Sequence, residues 1–509
     1  MSTLQATAPY WHASGTIRPF PRLRRDLETD VVVIGGGLTG ITAAYLLRRA
    51  GRRVVLLERG RLASTDTGHT TAHLTCALDT PITELVKSFG EDHARAAWDA
   101  GLAAIAQIDE CVRAERIDCD FAWVPGYLHA PVNEVVRPDD VAFLKDEAAT
   151  AAGLGFDAQF VERVPLMNTP GMLLSGQARF HPRRYLAALV QAITADEDGA
   201  IFEHTAADDV SGAPLVVTAD SHHISCDHVI MATHNPAPGR TSWLGATLLQ
   251  TKLSLSSSYV VAARVPTDRV PDALFWDTAD PYHYLRTERR QGFDCVIYGG
   301  EDHKTGQTED GANRFERLAA DLERLAPGAS VTHRWSGQVI ETTDGLPFIG
   351  ETAPRQFIAT GFAGNGMTLG TLAGLMACDY VAGRANPWSG LFDPSRTNLL
   401  AGVWNYLREN KDYPYYLVRD RFAGAEGRLT REVPRGSGRI LERKDGRVAA
   451  YRAPDGAVHL LSPTCTHMGC LVRWNDAERT WDCPCHGSRF APTGEVLSGP
   501  AQAPLARAE

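Results

Sequence analysis

An α/β fold built on a parallel sheet, followed by a small all-β module, is what this 509-residue sequence predicts. Three observations carry the prediction. Near the start, a β-branched run is followed by a glycine turn and then by an apolar-periodic helix. Single cysteines are scattered over most of the chain, yet four of the ten crowd into its last tenth together with histidines. Between these ends, helical patterns alternate with strands, and after about residue 435 only short strands and turns remain.

Composition narrows the function classes. A chain of this length exceeds one hydrophobic core and predicts two to four domains. With 44% apolar and 22% charged residues it is ordinary globular material, and a net charge of -10 speaks against a nucleic-acid binder. No apolar run approaches the roughly 20 residues that span a membrane. The first residues lack the basic start and apolar stretch of a signal peptide, so the expected location is the cytoplasm. Cys76, Cys111, Cys119, Cys226, Cys295 and Cys378 read as buried single thiols.

The first element is the strand Asp30–Ile34, a continuous apolar run suited to a parallel sheet buried on both faces. "GGGLTG" follows it, then the helix pattern "ITAAYLLRRAG" and a second strand, Val54–Leu57, that ends at Glu58. Gly35, Gly37 and Gly40 fit G-x-G-x-x-G in its required setting: Gly35 for the tight turn, Gly37 for close approach to a pyrophosphate, Gly40 for close helix packing. Leu38 and Thr39 open the helix, whose unpaired N–H groups attract the anion. Glu58 and its neighbour Arg59 lie where a ribose is read. Further on, Leu102–Arg116 and Arg183–Ala195 read as helices, and His228–His234, ending near Thr233, as another buried strand. Arg355–Gly383 reads as a strand, a glycine loop and a long apolar helix. The Pro-, Gly-, Tyr- and Arg-rich stretch 391–430 reads as a connecting arm.

A single fingerprint argues against a reductase that binds NAD(P)H and FAD together. With "TDGLPFIG" (343–350) and "ATGFAGNGMTLG" (359–370), it resembles the glycine and D-amino acid oxidase-like FAD oxidoreductases, which include sarcosine oxidase. The resemblance implies an FAD-binding domain with an inserted α+β substrate domain. FAD-binding segments would span about 28–85, 155–245 and 330–385, and the substrate domain about 86–154 and 246–329, within a unit covering 1–390. It implies that Gly361, Gly364, Asn365, Gly366, Met367 and Thr368 bring a helix N-terminus to the flavin pyrimidine ring, where its dipole steadies negative charge. It places the loop carrying Gly68, His69, Thr70, Thr71 and Ala72 along the pyrophosphate and flavin. Asp66, His69 and His73 imitate a two-histidine, one-carboxylate metal set, but a flavin-lining loop is the preferred reading. Some members of the family tether flavin through a cysteine just ahead of this motif; Trp335–Asp344 contains none, so FAD is expected to be non-covalent, with attachment through His69 or His73 as the alternative.

Tyr282, His283, Arg286 and His303 are the candidate catalytic residues, His303 by its "H-x-x-G-Q" resemblance to a substrate-facing histidine of sarcosine oxidases. Those oxidases carry a lysine four residues earlier that promotes reaction with oxygen. Here that place is Gly299. The departure points to a dehydrogenase that uses another acceptor, with an amine or amino acid as substrate.

At the far end, Cys465-x-His467 and Cys483-x-x-His486 supply one sulfur and one nitrogen ligand per loop. A Cys2His2 zinc site is the rival reading, but its ligands normally come cysteine with cysteine and histidine with histidine. One of each per loop suits a cluster whose two irons take two thiolates and two imidazoles respectively. "CTHMGC…CPCHGS" is similar to Rieske [2Fe–2S] proteins of the cytochrome bc type, over about 431–509. That resemblance implies a disulfide between Cys470 and Cys485, and a hydrogen bond from Ser488 to a bridging sulfide. It also puts Phe490 where a tyrosine would bond a ligand sulfur, so we expect a potential below the top of the roughly -150 to +300 mV Rieske range.

Together these imply a flavin- and Rieske-dependent dehydrogenase that exports electrons singly to a partner protein. The reverse flow is a second reading, in which a ferredoxin-like donor feeds a reductive or monooxygenase step. A non-catalytic electron carrier or redox sensor is a third. The sequence leaves open whether an oligomer forms and whether a cluster faces its own flavin or a neighbour's.

Overall fold

The computed structural model describes residues 7–132, 134–235, 252–307, 310–396, 426–443, 446–501 and 503–508. Most of the expected connecting arm therefore lies outside the described residues.

The first strand, Val31–Ile34, is buried along its whole length and lies inside a six-stranded sheet. Its neighbours are Val54–Leu57 on one side and His228–Met231 on the other, both parallel to it in register. Gly199–Phe202 and Gln356–Thr360 extend the parallel run, and Phe348–Ala353 closes one edge antiparallel. Helix Leu38–Arg49 covers one face and packs on helix Gly366–Val381, nearly all of whose apolar side chains are buried. The two helices approach closely because Gly374 has no side chain: a Cβ there would stand 2.8 Å from the Thr42 methyl.

Two helices differ from their sequence reading. The one expected over Leu102–Arg116 starts at Glu91 and ends at Ala114. Its early turns bury Ala94, Ala97, Trp98 and Ala100, and alanine gives a weak apolar period although it is the best helix former. The other runs from Pro182 to Ile193, with proline in its first turn and the His181 ring accepting from Arg184 N–H.

A nine-stranded sheet forms the second layer, mostly antiparallel. It runs from Ser330–Thr342 through Leu253–Val265, Asp294–Lys304, Tyr284–Arg289 and Leu274–Asp277 to Ala122–His129 and Gly171–Arg179. Ala158–Val161, Gly171–Arg179 and Ser330–Thr342 belong to it, although the sequence boundaries leave all three with the FAD-binding segments. Long-range pairing decides this membership, and pairing partners are not written in local periodicity.

The C-terminal module contains a three-stranded sheet (Ser437–Arg443, Gly446–Arg452, Val458–Leu461) and a four-stranded one (Arg473–Asn475, Thr480–Asp482, Arg489–Phe490, Val496–Ser498). Its core holds Trp481, Phe490 and Val472 together with Cys465, Cys470 and Cys483. The module sits directly on the nine-stranded sheet. Gln307 Nε2 donates to the Pro484 carbonyl at 3.1 Å, and Gln338 Nε2 to the Gly487 carbonyl at 2.8 Å. No helix among the described residues is long and apolar enough to cross a membrane.

Candidate functional site

The glycine loop leaves the first strand at Gly35, whose φ of +111° is open to glycine and whose Cβ would meet the Ala232 carbonyl oxygen at 2.3 Å. Gly40 is tighter still, because a Cβ there would stand 1.9 Å from the Gly35 carbonyl oxygen. Glu58 accepts from Gly36 N–H at 2.8 Å and Gly60 N–H at 2.7 Å, fixing its carboxylate beside the turn. Thr67 Oγ1 accepts from Leu38 N–H at 3.0 Å.

These elements open on a cavity of about 1050 Å³. Gly35, Gly37, Leu38, Thr39, Glu58, Arg59 and Thr233 line one end; His69, Thr70, Thr71, Gly364, Asn365, Gly366 and Met367 line the stretch beyond. Gly40, Gly68, Ala72, Gly361 and Thr368, also expected at the cofactor, do not line it. Gly40 and Gly68 are packing positions, the latter against His12 and the Ala63 carbonyl, and Ala72 and Thr368 are buried. Asp79, which carries no motif signal, accepts from Gly364 N–H at 2.8 Å and Asn365 Nδ2 at 3.0 Å, and so holds the entrance to helix Gly366–Val381. Asp66, His69 and His73 do not converge as metal ligands. His69 bonds the Thr65 carbonyl, His73 the Leu285 carbonyl, and Asp66 lies 3.7 Å from His234. Burial pushes His73 down to about 3, with Arg286 adding to the effect.

Of the four candidate catalytic side chains, the structure puts Tyr282 on the cavity wall. Arg286 is fully buried, donates to the Ala72 and Phe180 carbonyls and lies 3.6 Å from Glu288. It supports the flavin-side loop from behind. His283 bonds Asp277 at 3.2 Å and faces a smaller cavity of about 270 Å³. Its pKa is raised by Asp277 against the opposing effect of burial.

His303 is the instructive case. Counting four residues back places it on the same strand face as Gly299. However, Glu301 has φ +60°, and the pairing slips between Tyr259–Gly300 and Ser257–His303. This β-bulge inverts the alternation beyond it. His303 consequently stacks on Tyr259, ring centroids 5.6 Å apart, beside the C-terminal module. Burial and then Arg314 push it down to about 4.

Asp302 takes the inner face instead. Burial lifts its carboxyl to about 7, Ser258 easing the rise and Asp79 adding to it. Ser258 Oγ and Tyr284 OH are 2.6 Å apart and both residues line the cavity. Tyr284 also crowds Gly299: a Cβ there would strike its ring at 2.4 Å.

In the C-terminal module the two motif loops face each other. The thiols of Cys465 and Cys483 are within hydrogen-bonding contact, and the rings of His467 and His486 stand 4.9 Å apart. Cys470 and Cys485 are joined by a disulfide between the loops. Ser488 Oγ accepts from Ala501 N–H at 3.1 Å. Its own proton is left to donate toward the cysteines. Two sulfurs, two imidazoles and a hydroxyl converging this way fit a Rieske cluster, and the glycine turn with its cavity fits FAD. Phe490 is fully buried on a strand paired with Trp481.

Fold and site together define a flavoprotein with an iron–sulfur module. The profile of the FAD dependent oxidoreductase family matches residues 30–380, and that of the Rieske [2Fe-2S] domain matches 428–509. The chain belongs to the FAD dependent oxidoreductase family, with a C-terminal Rieske domain, and its cofactors are FAD and a [2Fe–2S] cluster. It is 35% identical over 506 residues to YhfW of Bacillus subtilis, described as a Rieske 2Fe-2S iron-sulfur protein, covering 98% of this chain and 97% of that one. It is 24% identical to the gamma-glutamylputrescine oxidoreductase of Escherichia coli, over 74% of this chain and 90% of the relative. The crystal structure of glycine oxidase from Geobacillus kaustophilus shares the fold with a TM-score of 0.57 at 20% identity, covering 73% of this chain and 99% of that one.

Proposed function

We propose that the protein is a dehydrogenase that oxidises the C–N bond of an amine or amino-acid-like substrate and passes the electrons singly through its Rieske domain to an external one-electron acceptor. The observation that carries this reading is the shared wall. Leu497, Ser498 and Gly499 of the C-terminal module line the same cavity as the glycine loop, and Arg59 Nη2 donates to the Leu497 carbonyl at 3.0 Å. Gly299 in place of the oxidase lysine supports an acceptor other than oxygen.

When bound, FAD supplies a two-electron acceptor. The chain's own residues prepare the substrate for it. A protonated amine gives up no hydride until it loses its ammonium proton. Tyr284 OH and Ser258 Oγ share a hydrogen bond at the cavity wall, and the Asp302 carboxyl near them, lifted by burial to about 7, titrates where a general base works best. Gly364 and Asn365, steadied by Asp79, direct a helix N-terminus into the site and favour negative charge there. Cys465, His467, Cys483 and His486 would hold the cluster.

Anaerobic mixing of the holoenzyme with amines and amino acids tests this. A substrate should bleach the flavin, followed by the electron paramagnetic resonance signal of a reduced cluster. Turnover should be faster with ferricyanide than with oxygen. If no such compound bleaches the flavin while a reduced ferredoxin does, electrons run the other way and the proposal fails.

A further inference from the structure

Gln338 belongs to both redox sites. It lies on strand Ser330–Thr342, lines the flavin cavity and is 5% exposed. Its Nε2 donates to the Gly487 carbonyl at 2.8 Å and stands 3.3 Å from Thr305 Oγ1. Gly487 directly follows His486, and its N–H donates back to the Cys483 carbonyl at 3.0 Å. The carbonyl that Gln338 holds therefore belongs to the turn closing the loop of two cluster ligands.

The Gly487 acceptor also fixes which way the amide points. Flipping it would set two carbonyl oxygens against each other. Oε1 is thus turned off the loop, and among the described residues it is buried with no partner. Buried acceptors without a donor are rare in a finished structure. The loop is seated closely as well. A Cβ on Gly306 would meet the Cys483 backbone at 2.8 Å, and one on Gly487 would meet Leu255 at 2.7 Å.

We propose that flavin and cluster exchange electrons within one chain, and that Gln338 is the positioning residue, its side chain in the wall of the flavin cavity and its amide N–H on the cluster loop. Each event moves one electron: the reduced flavin loses it, and a ferric ion of the cluster becomes ferrous. A one-electron acceptor such as ferricyanide empties the cluster before the second electron follows, and the flavin's proton goes to water. The coupling is the same in either direction of flow, so it stands apart from the substrate reading.

The test uses anaerobic holoenzyme reduced by a light pulse through an added deazaflavin, with flavin and cluster absorbance followed as they re-equilibrate. The expected rate is first order and independent of protein concentration. Gln338→Leu should slow it about tenfold, because a buried carbonyl left without its donor weakens the docked arrangement by that order. The cluster's midpoint potential and resonance spectrum should not move, which separates positioning from damage to the cluster. Gln338→Glu keeps the size but removes the donor, and is read instead if the leucine variant does not fold. A rate that rises with protein concentration overturns the proposal, as do unchanged rates in both variants or slowing that comes with a shifted cluster potential.

Discussion

Replacing Arg489 tests what anchors the cluster module. Arg489 follows Ser488 and is 8% exposed. Its guanidinium lies 2.6 Å from Glu478 and 3.3 Å from Asp482, and 3.5 Å from Ser336 Oγ on the nine-stranded sheet. Both carboxylate side chains are nearly buried, at 7% and 3% exposure. Arg489→Met keeps much of the packing but leaves two charges inside without a cation. Removing one partner of a buried pair costs about 3–5 kcal/mol, and here one cation serves two anions, which argues for the upper half. Denaturant unfolding followed by loss of cluster absorbance measures it. The loss should shrink at acid pH: burial raises the Glu478 pKa, so it takes up a proton as pH falls and relieves the repulsion. Arg489→Met combined with Glu478→Gln and Asp482→Asn should recover most of the stability, since no uncompensated charge remains. A loss under about 1 kcal/mol in the single variant, or no recovery in the triple one, would refute the reasoning.

Three further outcomes are expected. Gly40→Ala drives a methyl into the Gly35 carbonyl, an overpacking cost of about 1–3 kcal/mol that should weaken FAD binding by roughly tenfold or more, read by flavin fluorescence titration. Cys470→Ser with Cys485→Ser opens a cross-link of sequence separation 15, worth about 3 kcal/mol by loop-closure entropy, so cluster loss on heating should begin at lower temperature. Asp302 has its folded pKa raised from 3.8 to about 7. The folded state then binds more protons than the unfolded one between these values, and stability falls as pH rises through that window. Asp302→Asn removes the titration. Its advantage over the wild type should therefore grow between pH 4 and 7 with a slope of at most about 1.4 kcal/mol per unit, and a melting-temperature difference independent of pH would contradict it.

Local features were legible in the sequence wherever one short segment carries the whole signal. Val31–Ile34 needs both faces buried, Gly35 needs a positive φ, and Gly40 needs the missing Cβ, so strand, turn and helix could be read without the fold. The two Cys–His loops likewise announce their ligands by type and spacing. The substrate side was not legible in this way. His303 left the expected face because of one extra residue at Glu301, and Asp302 took its place. Bulges depend on how a partner strand pairs, which no local pattern records. Asp79 carried no motif because its role depends on Gly364, 285 positions away.

By itself, then, the sequence determined the chemistry available: a turn shaped for a pyrophosphate, two sulfurs and two imidazoles for a cluster, and no lysine where an oxidase has one. Tertiary structure alone decided how these meet. It seated the cluster loop on strands 253–265, 294–304 and 330–342, put Gln338 between loop and cavity, and filled the space over Gly299 with Tyr284. The physical reason is range. Residue type and backbone conformation act over a few positions, whereas the contact between Gln338 and Gly487 spans 149 and exists only once the sheet has brought both strands and module together.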